Sequence, residues 1–239
     1  MVLVSVAAVV VAALAVFSAT RPPAASGALI PPTTVYSADL TEGASLGSTR
    51  APVVIQLYAD FQCPACKQFV VQQLPRLVSD FVRPGTVRIE AEDIDILGSG
   101  AVNESVELAA GAYCAAEQNR YWQYHDLAFW NQGRENRGDH DVAFIERVAS
   151  QAGVDVPSWQ TCFARSDVRQ PARDRTAAAI ARGITSTPTL VVNGHALAGG
   201  MPDYASLSAM IRQLVVSASS APGSSTGPSP LAATSAVPS

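Results

Sequence analysis

Residues 53–71, VVIQLYADFQCPACKQFVV, decide the fold. Val53, Val54, Ile55, Leu57 and Tyr58 form an apolar, β-prone run that ends in a short polar turn, and a helical pattern starts at the cysteines. Strand, C-x-x-C, helix is the setting in which two cysteines read as a redox pair. A thiolate where a helix begins faces unpaired N–H groups and the positive end of the helix dipole, so Cys63 is expected to ionise below the usual thiol range. Pro64 at the first helical position loses nothing, because its missing N–H would be unpaired there anyway. The active-site turn Pro64-Ala65 places Cys66 one turn along, near enough to close a small disulfide ring. Cys63 is expected to be the exposed, attacking sulfur and Cys66 the shielded one that resolves a mixed disulfide. A zinc site would need two more ligands at close spacing. Cys114 and Cys162 are isolated, and His125, His140 and His195 form no ligand pattern, so neither a metal nor another cofactor is expected.

Working outward, Phe69, Val70, Leu74, Leu77, Val78 and Phe81 keep helical spacing, with Pro75 expected to kink the run. Thr86–Ile96 alternates as a strand. Residues 103–183 are helical throughout: an alanine-rich helix from Glu104, aromatics on one face of Tyr121–Trp130, then Val142–Ala152, Trp159–Phe163 and Val168–Arg182, with Gly183 as the C-cap. Thr189–Val192 and His195–Ala198 flank Asn193-Gly194, a two-residue hairpin turn. Leu207, Met210, Ile211, Leu214 and Val215 mark a closing amphipathic helix. The expected organisation is therefore an α/β domain over 51–102 and 184–216, interrupted by a helical insertion over 103–183.

The ends read differently. Residues 1–20 are almost wholly apolar and uncharged, and at about 1.5 Å per residue they span roughly 30 Å, the thickness of a bilayer core. A membrane anchor is expected, with a cleaved signal segment as the rival, since Ala25-Ser26-Gly27 offers small residues to a peptidase. Both place the remainder outside the cytoplasm, where disulfides persist. Residues 21–50 read as a linker and leading edge segment, and 217–239, rich in Ser, Pro, Ala and Gly, as a disordered tail. The formal charge of −4, pI near 5.3 and absence of a basic run argue against nucleic acid as a partner.

Thr187-Pro188 precedes a strand, and by itself that says only that proline tolerates a strand start. Taken together, DFQCPAC (60–66), AAGAYCAAEQNRYWQYHDLAF (109–129) and GITSTPTLVVNG (183–194) resemble the DsbA-like family of extracytoplasmic thiol–disulfide oxidoreductases. The resemblance implies a thioredoxin-like fold with an inserted helical domain, Cys63 as nucleophile, Cys66 as its partner, and Pro188 as a cis proline that, with Thr187, presents backbone to a substrate strand. It also implies exported proteins with reduced cysteines as substrates, and a quinone-coupled membrane partner of the DsbB or vitamin K epoxide reductase type. Two departures stand out. Leu57 occupies the place, six residues before Cys63, where many relatives carry a buried carboxylate, which leaves water or another group such as Asp60 to take the proton from Cys66. The dipeptide Pro64-Ala65 lacks the histidine of the strongest oxidants, so a milder oxidant is expected.

Cys114 and Cys162, 48 positions apart, are expected to form a structural disulfide. Two buried thiols or a second redox relay are the alternatives. His125, Trp122, Tyr124 and Trp130 read as packing residues rather than catalytic ones. The expected activity is oxidation of thiols in exported proteins. Disulfide reduction or isomerisation is the alternative, and a non-catalytic peptide-binding module a more distant one. Isomerases usually add a dimerisation domain, for which no spare segment is seen, and a monomer is expected.

Overall fold

The computed structural model describes residues 28–34, 36–197 and 201–220. These form one six-stranded mixed sheet built on β3, Val53–Ala59. On one side β3 runs parallel to β4 (Val87–Asp93), with Val53 opposite Val87 and Ala59 opposite Asp93. On the other it runs antiparallel to β5 (Thr189–Val192), which pairs with β6 (His195–Ala196) through the Asn193-Gly194 turn. Both turn residues have positive φ, +47° and +84°, as the tight hairpin requires. At the opposite edge the hairpin β1 (Thr41–Glu42) and β2 (Ser45–Leu46) pairs with β4. The thioredoxin-like frame read from the sequence is present, its central strand buried and its C-terminal end delivering the cysteine turn.

Helix α1, Pro64–Gln72, follows that turn and buries Cys66, Phe69 and Val70. Pro75 has no N–H to continue the ladder, so the helix breaks at Gln73, resumes as α2 (Leu74–Leu77) and ends in a π-type turn, Val78–Val82. Between β4 and β5 come α3 (Glu104–Ala116), α4 (Tyr121–Trp130), α5 (Val142–Gln151), α6 (Val156–Phe163) and α7 (Gln170–Ala181). The Asn103 side chain accepts from the Val106 N–H and so caps the start of α3. A Cβ at Gly111 would collide with the Tyr124 hydroxyl, so only glycine lets α3 and α4 approach this closely. Cys114 on α3 and Cys162 on α6 are joined by a disulfide with a Cα–Cα distance of 5.8 Å. Gly183, at φ +79°, ends the block.

Two boundaries differ from the sequence reading. Within the stretch read as a linker, Ile30 and Tyr36 are tied to α4 and to Asn131, its C-cap. Asn131 accepts from the Ile30 N–H at 2.7 Å and donates to its carbonyl at 2.9 Å, while the Tyr36 hydroxyl donates to buried Asp126 at 2.6 Å. The last helix, α8, runs Tyr204–Ser220, so residues 217–220 are helical rather than part of a disordered tail. Its apolar side, Tyr204, Leu207 and Ile211, is buried, and the Tyr204 hydroxyl donates to Asp80 at 2.6 Å. The anchor expected over 1–20 and the tail from 221 lie outside the described residues. Among the described residues no helix is long and apolar enough to cross a membrane.

Candidate active site

Cys63 is the N-cap of α1. Its Sγ accepts from the Cys66 N–H at 3.4 Å, and its own N–H donates to the Asp60 carbonyl at 2.9 Å. Both cysteines are free thiols. Cys66 is fully buried. Cys63 keeps 5% of its surface, so the attacking sulfur is more covered than the sequence suggests, while Pro64 and Ala65 beside it are exposed. What covers Cys63 is the loop before β5. The Thr187–Pro188 peptide is cis, and the Thr187 carbonyl accepts from the Cys63 thiol at 3.3 Å across a sequence separation of 124.

The two sulfurs are pulled apart in acidity. Cys63 is lowered to about 6, first by the hydrogen bond that the Cys66 thiol gives its thiolate, then by Thr187 and the Cys66 and Ala65 N–H groups of the helix terminus, against a burial penalty. The Thr187 carbonyl contact favours the neutral thiol and the Thr187 side chain favours the thiolate. The helix-end donors and Cys66 decide the balance for ionisation. Cys66 is raised well above the usual thiol range, by burial first and then by the hydrogen bond and charge of Cys63. A dithiol held this way carries one ready nucleophile and one neutral reserve.

The residue proposed to stand in for the missing carboxylate is otherwise engaged. Asp60 is fully buried, and its oxygens accept from the Gln62 N–H (2.8 Å), the Ser105 hydroxyl (2.7 Å) and the N–H groups of Ile96 (3.0 Å) and Leu97 (2.8 Å). Asp93, in register with Ala59, accepts from the Tyr121 hydroxyl at 2.7 Å, and burial raises its carboxyl above the usual range. Neither carboxylate bonds Cys66 among the described residues. His125 is fully buried, bonded through Nδ1 to Asp126 at 2.8 Å and packed among Phe61, Tyr121, Trp122 and Phe129. It is a packing residue of the insert, as its helical context suggests. Among the described residues no cluster of His, Cys, Asp or Glu could hold a metal ion.

Sequence reasoning missed the residues that grip the turn. Gln132, between α4 and α5, donates from Nε2 to the carbonyls of Phe61 (2.7 Å) and Cys63 (3.0 Å). Gln62 accepts from the Asn136 N–H at 2.7 Å and donates to Ser105 at 2.8 Å. These contacts join positions 43 to 74 residues apart, and in the sequence the 131–140 stretch shows only loop composition.

The geometry agrees with known proteins. The sequence pattern of the Thioredoxin family matches residues 40–213. The chain is 25% identical over 166 residues to a probable disulfide bond formation protein D of Bacillus anthracis, covering 68% of this chain and 74% of that one. Its fold is similar to that of oxidised DsbA from Mycobacterium tuberculosis, with 27% identity, a TM-score of 0.61, and 72% and 92% of the two chains covered. Oxidised BdbD from Bacillus subtilis shares the fold at 18% identity, with a TM-score of 0.63 over 80% of this chain and 100% of that one. A buried thiol pair at a helix start, a family pattern spanning most of the chain, and relatives named for disulfide bond formation converge: the chain belongs to the thioredoxin family and, within it, to the DsbA-like thiol–disulfide oxidoreductases.

Proposed function

We propose that this oxidoreductase works as an oxidase on exported proteins, with Cys63 as the sulfur that substrates attack. A substrate thiolate attacks Cys63 of the Cys63–Cys66 disulfide and Cys66 leaves. The substrate's second thiolate then attacks its own mixed-disulfide sulfur, releasing Cys63 as the thiolate. Two electrons pass from the substrate dithiol to the cysteine pair. Thr187 and Pro188 offer the extended backbone beside which a substrate strand lies, and Cys114–Cys162 is structural. The observation that carries the reading is the lowered Cys63 at the α1 terminus beside a neutral, buried Cys66. A stabilised thiolate makes the disulfide easier to reduce, which is what an oxidant needs.

An extracytoplasmic site of action is supported by the apolar 1–20 segment and by a disulfide at Cys114–Cys162, since such bonds persist in oxidising compartments. Turnover needs the dithiol to be reoxidised, and a quinone-coupled membrane protein of the DsbB or vitamin K epoxide reductase type fits that role. Equilibration of Cys63–Cys66 with glutathione tests the direction. A midpoint of about −120 to −200 mV supports the oxidase, whereas about −270 mV makes the protein a reductase.

A further inference from the structure

The turn Asp60–Cys63 is held by more than its own strand and helix. The loop from Asn131 to His140 lies along it, and that loop is itself fixed from below. Buried Glu104 accepts from the N–H groups of Gly138 (2.7 Å) and His140 (3.1 Å) and pairs with His140 Nδ1 at 2.7 Å. His140 Nε2 in turn accepts from the Gly133 N–H at 2.9 Å, next to Gln132. Gln132 is bound on both sides: its main-chain carbonyl accepts from Lys67 Nζ at 3.3 Å, and its side-chain amide reaches the Phe61 and Cys63 carbonyls.

Those two carbonyls bracket Gln62, whose N–H is already taken by Asp60. The Cys63 N–H goes to the Asp60 carbonyl. Gln132 thus completes the pinning of a turn whose sulfur must stay within hydrogen-bond reach of Thr187 and of the Cys66 N–H at once. We propose that this loop of the helical insert is a clamp on the attacking cysteine, and that Gln132, through its two donated hydrogen bonds, is the positioning residue that sets how readily Cys63 reacts.

The effect falls unequally on the two redox states. In the disulfide form the Sγ–Sγ bond itself ties the turn to α1, and the sulfurs carry no charge. In the dithiol form that tie is gone, and the thiolate forms on the turn whose Phe61 and Cys63 carbonyls Gln132 holds. The Gln132 amide offsets their negative ends and holds the turn in register. Losing it therefore destabilises the thiolate and the reduced pair more than the disulfide. The inference rests on Cys63 being the attacking sulfur.

Gln132→Met keeps the side chain's length without donors, and Gln132→Glu keeps its length but can only accept. Wild type and both variants are reduced, and two quantities are followed: the iodoacetamide rate of Cys63 at pH 6.5, and the equilibrium in which two glutathione thiols become glutathione disulfide as the Cys63–Cys66 disulfide takes up two electrons and two protons. The rate and the equilibrium constant are expected to fall about threefold in Gln132→Met, where both donated hydrogen bonds are lost, and about tenfold in Gln132→Glu, where both become repulsive. A variant that loses its helical circular dichroism is replaced by Gln132→Asn, one methylene too short to reach both carbonyls. Unchanged rates and equilibria, with at most a lowered melting temperature, overturn the clamp. A wild-type Cys63 no faster than an ordinary thiol overturns instead the active-site reading beneath it.

Discussion

The largest cause of the Cys63 shift is a hydrogen bond from its partner thiol, and that can be tested by editing a single donor. Cys66→Ala removes it, while Cys66→Ser leaves an O–H in its place. A hydrogen bond to a charged group contributes about 1.5–3 kcal/mol, and 1.36 kcal/mol is one pKa unit, so the loss corresponds to about one to two units. Cys63 is not wholly sealed from solvent, which places the expected change at the lower end. The midpoint should move from about 6 to near 7 in Cys66→Ala. At pH 6.5 the thiolate fraction then falls from about three-quarters to about a quarter. Cys66→Ser should stay close to wild type. Absorbance at 240 nm against pH, together with the alkylation rate of Cys63, reads both. A Cys66→Ala protein that still titrates near 6 would refute the reasoning and leave the helix terminus and Thr187 as the source of the shift.

Other consequences are as direct. In the dithiol form the depressed Cys63 adds stability that is fully present above its unfolded value of about 9 and is lost as pH falls through about 6. Three units correspond to about 4 kcal/mol, or about 2 after solvent screening, and the raised Cys66 acts oppositely only above about pH 9. The melting temperature of the dithiol form relative to the disulfide form should therefore climb from pH 6 to pH 9, and a flat difference rules this out. Replacing Cys114 and Cys162 together by serine opens a loop of 48 residues and should cost about 4 kcal/mol in denaturant unfolding. Cys63 alkylation should be unchanged in that variant, whereas lost activity without lost stability would point to a relay. Asp60→Asn turns an acceptor of four hydrogen bonds into one that must present N–H to N–H, and should destabilise by about 3 kcal/mol while slowing Cys63. Wild-type unfolding with wild-type reactivity would remove Asp60 from the support of the turn.

The parts of this protein that could be read from its sequence are those where chemistry and geometry are local. The apolar run into C-x-x-C, the kink at Pro75, the Asn193-Gly194 hairpin and the alternation in β4 each depend on residues within a turn or a strand of one another. Thr187-Pro188 was legible only with the cysteines already in hand. The N-terminal docking was not, because prolines and small residues look like a linker until Asn131 and Asp126 are seen to receive Ile30 and Tyr36. Asp60 could be singled out as a buried-acid candidate but not placed. Its partners at Ser105, Ile96 and Leu97 come from other segments, and they make it a brace for the turn instead of a proton acceptor for Cys66.

That leaves the proton of Cys66, which no carboxylate among the described residues bonds, and this bears on direction. Burial is the first cause of the raised Cys66, and the hydrogen bond and charge of Cys63 come after it. Once Cys63 is tied into a mixed disulfide, it holds no charge, and only burial remains to keep Cys66 neutral. The displaced Cys66 thiolate must still draw its proton without a carboxylate bonded to it, which slows the first exchange. The second exchange has no such burden. Its leaving group is Cys63, held near 6, against an ordinary substrate thiol at about 8.5, and the lower of the two departs faster. Under the proposed oxidase reading, a mixed disulfide on Cys63 therefore partitions toward release of an oxidised substrate rather than toward recapture by Cys66. On the same reading, the lack of a carboxylate at position 57 slows the taking on of substrates, while the lowered Cys63, held first by the Cys66 thiol and then by the α1 terminus, governs which way they leave.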